Sequence, residues 1–181
     1  FNIELYLDIK ELPNFFYEIE PLQNRSDIVR LALLNKYGGV WMDSSIICLV
    51  PLDSWIKSSI LTGFAAPWFS SDDDLTVYEN WFIACSSDSY IIKKWHDEYM
   101  ILWKNRVKNL NIMHDTFFDE IDFHKISSDY HNQHLTFLKC LQTDEMFRKL
   151  YYYNSHILNA KETAFVHYEC FGWDNCKKFL S

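Results

Sequence analysis

The chain has 181 residues, a hydrophobic fraction of 49% and a net charge of −8. That length suits one domain with a sizeable core. An acidic chain with no basic stripe argues against a nucleic-acid partner, and four glycines and four prolines argue against collagen-like, low-complexity or β-repeat classes.

Phe1 to Leu7 (FNIELYL) alternates apolar and polar residues and reads as a strand. Asp8 to Pro13 is a turn, and Asn14 to Glu20 a short helix broken by Pro21. From Asn24 to Ser45 the chain runs NRSDIVRLALLNKYGGVWMDSS. This stretch predicts a buried helix with Asn24 or Ser26 at its start. Gly38 and Gly39 supply a left-handed stop. Val40, Trp41 and Met42 then read as a buried strand with Asp43 at its C-terminal end. One cation, Arg30, stands inside the apolar run, and Asp27 precedes it by one helical turn on the same face. Ligands of open α/β sheets bind outside the carboxyl ends of strands, so Asp27, Arg30 and Asp43 are expected in one cleft.

After Ser45, IICLV predicts a second apolar strand stopped by Pro51, and Leu52 to Ile60 a turn or short helix. Leu61 to Pro67 is strand-like. Trp68 to Thr76, with Asp72, Asp73 and Asp74, reads as a solvated loop or a lip over the cleft. Tyr78 to Cys85 is a buried strand, and Ser89 to Trp103 an amphipathic helix with Ile91, Ile92, Trp95, Tyr99 and Leu102 on one face. Lys104 to Lys125 carries no clear pattern. His131 to Cys140, extending to about Tyr152, reads as helix. His131 and His134 have a spacing that can bind metal, although two histidines on a polar face is the plainer reading. Ala164 to Gly172 is a last strand and loop.

The run SDIVRLALLNKYGGVWMDSS resembles the sugar-nucleotide region of GT-A glycosyltransferases. The nearest groups are the glycosyltransferases with a DxD-type sugar-binding region (family 32) and the capsular polysaccharide synthesis proteins. They share S-D-x-x-R, a leucine-rich helix and G-G-x-(aromatic)-x-D-x-D. Every element matches except the last Asp, where this chain has Ser45. The resemblance implies an α/β fold, a Rossmann-like GT-A domain spanning 1–181. Its mixed, mainly parallel central sheet would be flanked by helices. A K-I-I-H-Q-x-W strand that carries part of the nucleotide pocket in those families is absent from this sequence.

The implied activity is retaining, metal-dependent transfer of a hexose from a nucleotide-diphosphate sugar, UDP- ahead of GDP-, to a glycan or glycoprotein acceptor. A non-catalytic sugar-nucleotide or glycan-binding module of the same fold is the alternative, with Ser45 marking lost activity. An unrelated metal-dependent hydrolase is disfavoured because no tight His/Asp cluster exists. Asp27 would accept hydrogen bonds from vicinal sugar hydroxyls, and Arg30 would donate to a hydroxyl or phosphate. Trp41 occupies the aromatic position of the pattern, bordering the donor or simply packing. Asn80 matches an Asn that faces the donor sugar. Mn²⁺ or Mg²⁺ favours oxygen ligands, so Asp43 is the expected carboxylate, with Ser45 offering at most a hydroxyl. His167, followed by Gly172 and Trp173, loosely resembles a late His near the metal. Asp43 and Arg30 are the expected catalytic residues.

Five cysteines without a CxxC pair fit free thiols in a reducing compartment, so a cytoplasmic location is expected. No apolar run reaches the roughly 18 residues of a bilayer span, and no signal peptide is visible.

Overall fold

The computed structural model describes residues 2–49, 51–56, 61–66, 77–105, 131–158 and 165–166. The first twenty residues form tight 3₁₀ turns at Ile3–Leu5, Ile9–Glu11 and Phe16–Glu18 in place of the expected strand. Local side-chain bonds decide this. Asn2 accepts from the Glu4 amide at 3.1 Å, and Asp8 and Glu11 form a reciprocal capping box. Such bonds compete with an extended backbone. Leu7, Leu12, Phe16 and Ile19 still reach the core.

Helix α1 (Leu22–Tyr37) begins just after Pro21, earlier than either expected side-chain cap. It stops at Gly38, whose φ is +63° and whose amide donates to the Leu34 carbonyl at 2.8 Å. A Cβ at Gly38 would also lie 2.5 Å from the Ser87 amide nitrogen. Gly38→Ala therefore meets both a disfavoured backbone and a backbone clash. It is expected to cost roughly 2 kcal/mol or more, measured by denaturant unfolding. A neutral result would mean that this turn does not hold α1 against the sheet.

Strand β1 (Gly39–Met42) follows at once, and β2 (Ile47–Cys48) follows the acidic tip. Strands β3 (Leu61–Ala66) and β4 (Val77–Cys85) lead to α2 (Tyr90–Asn105). Then come α3 (Asn132–Thr143), α4 (Glu145–Asn154), β5 (Ser155–Leu158) and β6 (Phe165–Val166). The single helix expected to run to Tyr152 is divided at Asp144, which caps α4 by accepting from the Phe147 amide at 2.9 Å.

The main sheet has the order β1-β4-β3-β5, and β2 pairs with β6 in a separate ribbon. The main sheet is mixed, as expected, but not mainly parallel. Strands β1 and β3 both pair antiparallel to β4, and among the described strands only β3 and β5 pair in parallel. Parallel pairing needs a long crossover, which α2 to α4 provide only between β3 and β5. Strand β1 is an edge strand of this sheet. Its Val40 and Met42 are exposed, contrary to the buried strand expected from their apolarity.

The four described α-helices share the larger core with the sheet, centred on Trp95, Tyr78 and Phe137. All five predicted core positions of α2 are buried. A second core holds Phe64, Trp81 and Phe82 against Trp55. No described helix is long and apolar enough to cross a membrane.

Between β3 and β4 the register breaks. Gly63 pairs with Ile83 and Ala65 with Tyr78, so Phe64 alone stands opposite Glu79, Asn80, Trp81 and Phe82. The extra residues form a bulge in β4. The Tyr78 hydroxyl holds it by donating to the Thr62 carbonyl at 2.8 Å. Gly63 is required for this, because a Cβ there would fall on that hydroxyl. Bulges re-aim side chains and end pairing. Here β1 ends beside the bulge, where the Asp43 amide donates to the Trp81 carbonyl at 2.9 Å.

Candidate functional site

Asp27 and Arg30 lie on one face of α1, as their spacing predicts, and both are buried. Arg30 Nη1 donates to Asp27 Oδ1 and to Gln133 Oε1, each at 2.8 Å. Its Nη2 donates to Asp43 Oδ1 at 2.9 Å. One guanidinium thus joins the helix to the strand end. Trp41 covers it, with Cζ 5.1 Å from the ring centroid, and the indole Nε1 donates to Asp43 Oδ1 at 2.7 Å. Trp41 therefore acts on the site through Arg30 and Asp43.

Asp43 Oδ1 takes both of these bonds. Two donors on one oxygen fix the carboxylate and leave its other oxygen uncommitted among the described residues. Arg30 Nε likewise has no protein acceptor there. The bulge brings Asn80 to the same cluster. Its Nδ2 donates to Gln133 Oε1 at 2.8 Å and lies 3.4 Å from Asp27 Oδ1.

Asp27, Arg30, Trp41, Asp43, Ser45 and Asn80 line one cleft of about 420 Å³. These are all the predicted site residues except His167, which lies outside the described residues, as does the Asp72–Asp74 stretch. Burial pushes the Asp27 carboxyl up to about 6, against the opposing pull of Arg30 and His134. Asp27 is thus poised to change charge near neutrality.

His131 and His134 do not occupy a solvated polar face. His134 is buried with Nε2 3.6 Å from Glu79 Oε2, and burial lowers the His131 pKa to about 4. Among the described residues no group of three or more His, Cys, Asp or Glu could hold a metal ion. A cation at Asp43 would need further oxygens from a ligand. One uncommitted carboxylate oxygen beside the Ser45 end of the cleft fits a hard divalent ion that a diphosphate completes. Burial pushes the Cys85 thiol to about 12 and raises Cys140 as well, so neither is an activated nucleophile.

Sequence reasoning missed Gln133. It sits between the two histidines read as a polar face, in a run of polar residues, Asn132 to His134, yet all three are buried. Its partners Arg30 and Asp27 lie more than a hundred positions away, a separation at which no local pattern signals contact.

The fold and cleft together define an α/β protein with an Asp–Arg–Asp cluster at the end of an edge strand, Asp27 and Arg30 buried and Asp43 partly open to the cleft. The chain belongs to the capsular polysaccharide synthesis protein family, whose model matches residues 1–172. It is also similar to a protein of Aspergillus fumigatus named glycosyltransferase afumC, at 35% identity over 86 residues. That match covers 45% of this chain and 22% of the relative. No solved structure matches the chain.

Proposed function

We propose that the chain is a retaining GT-A glycosyltransferase that moves a hexose from a nucleotide-diphosphate sugar, UDP- ahead of GDP-, to a glycan or glycoprotein acceptor. The observation that carries this reading is the convergence of Asp27 and Asp43 on the single Arg30 guanidinium, in one cleft that Asn80 also lines. Membership of the capsular polysaccharide synthesis family and the similarity to a named glycosyltransferase support it.

Asp27 accepts hydrogen bonds from two neighbouring sugar hydroxyls, and Asn80 borders them. Arg30, neutralised in part by its two carboxylates, offers its remaining donor capacity to hydroxyl or phosphate oxygen. Asp43, with Ser45 beside it, would hold Mn²⁺ or Mg²⁺. Such an ion would supply charge neutralisation for the leaving diphosphate. The bond from the anomeric carbon to phosphate oxygen breaks while the acceptor oxygen bonds on the same face. The acceptor proton passes to the departing phosphate, so no protein nucleophile is required. Fixed groups in a half-buried cleft stabilise the developing charge without reorganising.

The presence of Ser45 in place of a second carboxylate favours one alternative, a donor-binding module without turnover. Calorimetric titration with UDP, GDP and their hexose conjugates, each with Mn²⁺ and with EDTA, tests the main reading. Metal-dependent binding of one nucleotide class, accompanied by slow donor hydrolysis, supports a transferase. Binding without hydrolysis supports the module, and a folded chain that binds no donor overturns both.

The Asp27 pKa adds a pH test. Ionised Asp27 accepts from hydroxyls more strongly than the protonated acid does, and its pKa is about 6. The sugar-dependent part of the affinity is therefore expected to rise between roughly pH 5 and 7. Asp27→Asn should remove both the increment and its pH dependence. An unchanged profile in that variant would take Asp27 out of the sugar contact.

A further inference from the structure

We propose that Gln133 is a positioning residue of the donor site, holding Asn80 and Arg30 in the arrangement that receives the sugar. The inference rests on the reading of the cleft as a donor site, and it assigns a role to a residue on α3, outside the helix and strands that line the cleft.

The Gln133 side chain is fully buried, with both acceptor positions and one of the two donor hydrogens of its amide in use. Oε1 accepts from Arg30 Nη1 and from Asn80 Nδ2, each at 2.8 Å. An amide oxygen has two lone pairs, so this capacity is filled. Nε2 donates to the Asp27 carbonyl at 3.1 Å, which sets which end of the amide faces Arg30. The backbone of Gln133 is held as well. Its carbonyl accepts from Trp95 Nε1 at 2.9 Å and from Thr136 Oγ1 at 2.8 Å. Trp95 is fully buried in the main core, so the core itself places Gln133.

The two residues that Gln133 joins come from different elements, and they depend on it unequally. Arg30 keeps Asp27 and Asp43 if Gln133 is lost. Asn80 keeps only the longer 3.4 Å approach to Asp27 Oδ1. Asn80 also sits on a bulge, where ladder pairing no longer fixes the backbone. Gln133 is therefore the main restraint on the Asn80 amide. A glutamine suits this place because it offers a neutral acceptor and a donor together. A carboxylate would add a third negative group around one guanidinium and would oppose the Asp27 carbonyl.

The test compares Gln133→Met with wild type in titrations with the nucleotide sugar that binds best and with its bare nucleoside diphosphate. Met keeps the volume and removes every side-chain hydrogen bond. The expected result is a loss of about tenfold or more in affinity for the sugar conjugate, with the diphosphate changed less than about twofold. Asn80→Ala should weaken sugar binding less in the Met background than in wild type, by at least about threefold, because the two side chains act as a unit. If Gln133→Met does not fold, Gln133→Glu takes its place. That variant keeps an acceptor for Asn80 and is expected to retain more of the Asn80 effect than of overall affinity. A uniform loss for sugar conjugate and diphosphate, or additive Asn80 and Gln133 effects, would overturn the positioning role and leave the donor reading intact. A wild-type chain that binds no nucleotide sugar would overturn both together.

Discussion

Asp43→Asn is expected to lower transfer or donor hydrolysis by about 10³-fold while leaving the fold unchanged. The substitution is a fair test because it keeps the local geometry. An asparagine oxygen can still accept from Trp41 Nε1 and Arg30 Nη2, the two bonds that Asp43 Oδ1 now makes. What disappears is the charge and the uncommitted oxygen. A neutral amide is a poor ligand for a hard divalent ion, which takes carboxylate, phosphate and water oxygens. Steady-state rates over a Mn²⁺ series, with thermal unfolding as a control, read this directly. Activity within tenfold of wild type, with the same metal dependence, would take Asp43 out of the metal shell.

Arg30→Met is expected to destabilise the fold by about 3–5 kcal/mol at pH 8, because it strands a buried carboxylate. Asp27 and Arg30 have side chains only 7% and 4% exposed, so water cannot replace the lost partner. The deficit should shrink as pH falls. Burial already raises Asp27 from its ordinary 3.8 to about 6, and Arg30 is the largest opposing influence. Without Arg30 the Asp27 pKa climbs further. A carboxyl whose pKa is raised on folding contributes stability below its unfolded value and loses it as pH rises through its folded value. The variant therefore recovers toward wild type as Asp27 takes up a proton, between roughly pH 8 and 5. Denaturant unfolding at both values checks the sign. A deficit independent of pH would mean that Arg30 acts by packing rather than by charge. Arg30→Lys should not rescue donor binding, since one ammonium cannot span Asp27, Gln133 and Asp43 as a planar fork does.

Much of the site was readable along the chain because its parts are local. Asp27 and Arg30 share a face by helical period. Gly38 ends the helix by its backbone freedom, and Asp43 follows after one short strand. The α2 core face was equally plain, since five apolar residues at helical spacing have one way to be buried together.

The errors share one cause. Phe1 to Leu7 alternated like a strand, but two short polar side chains closed 3₁₀ turns first. Val40 and Met42 looked buried because they are apolar, yet exposure depends on where a strand falls in the sheet, and β1 lies at an edge. His131 and His134 read as a polar face, yet the first turn of α3 carries His134 inside and leaves His131 half-buried at its start.

By itself the sequence determined the helix–glycine–strand unit and the pairing of Asp27 with Arg30, because periodicity and glycine backbone freedom act over a few residues. Only the tertiary structure decided the strand directions, the bulge that turns Asn80 into the cleft, and the arrival of Gln133 from α3 to join Arg30 and Asn80. Those contacts link residues 53 to 103 positions apart. They follow from which buried faces pack together, and no short window of sequence contains that information.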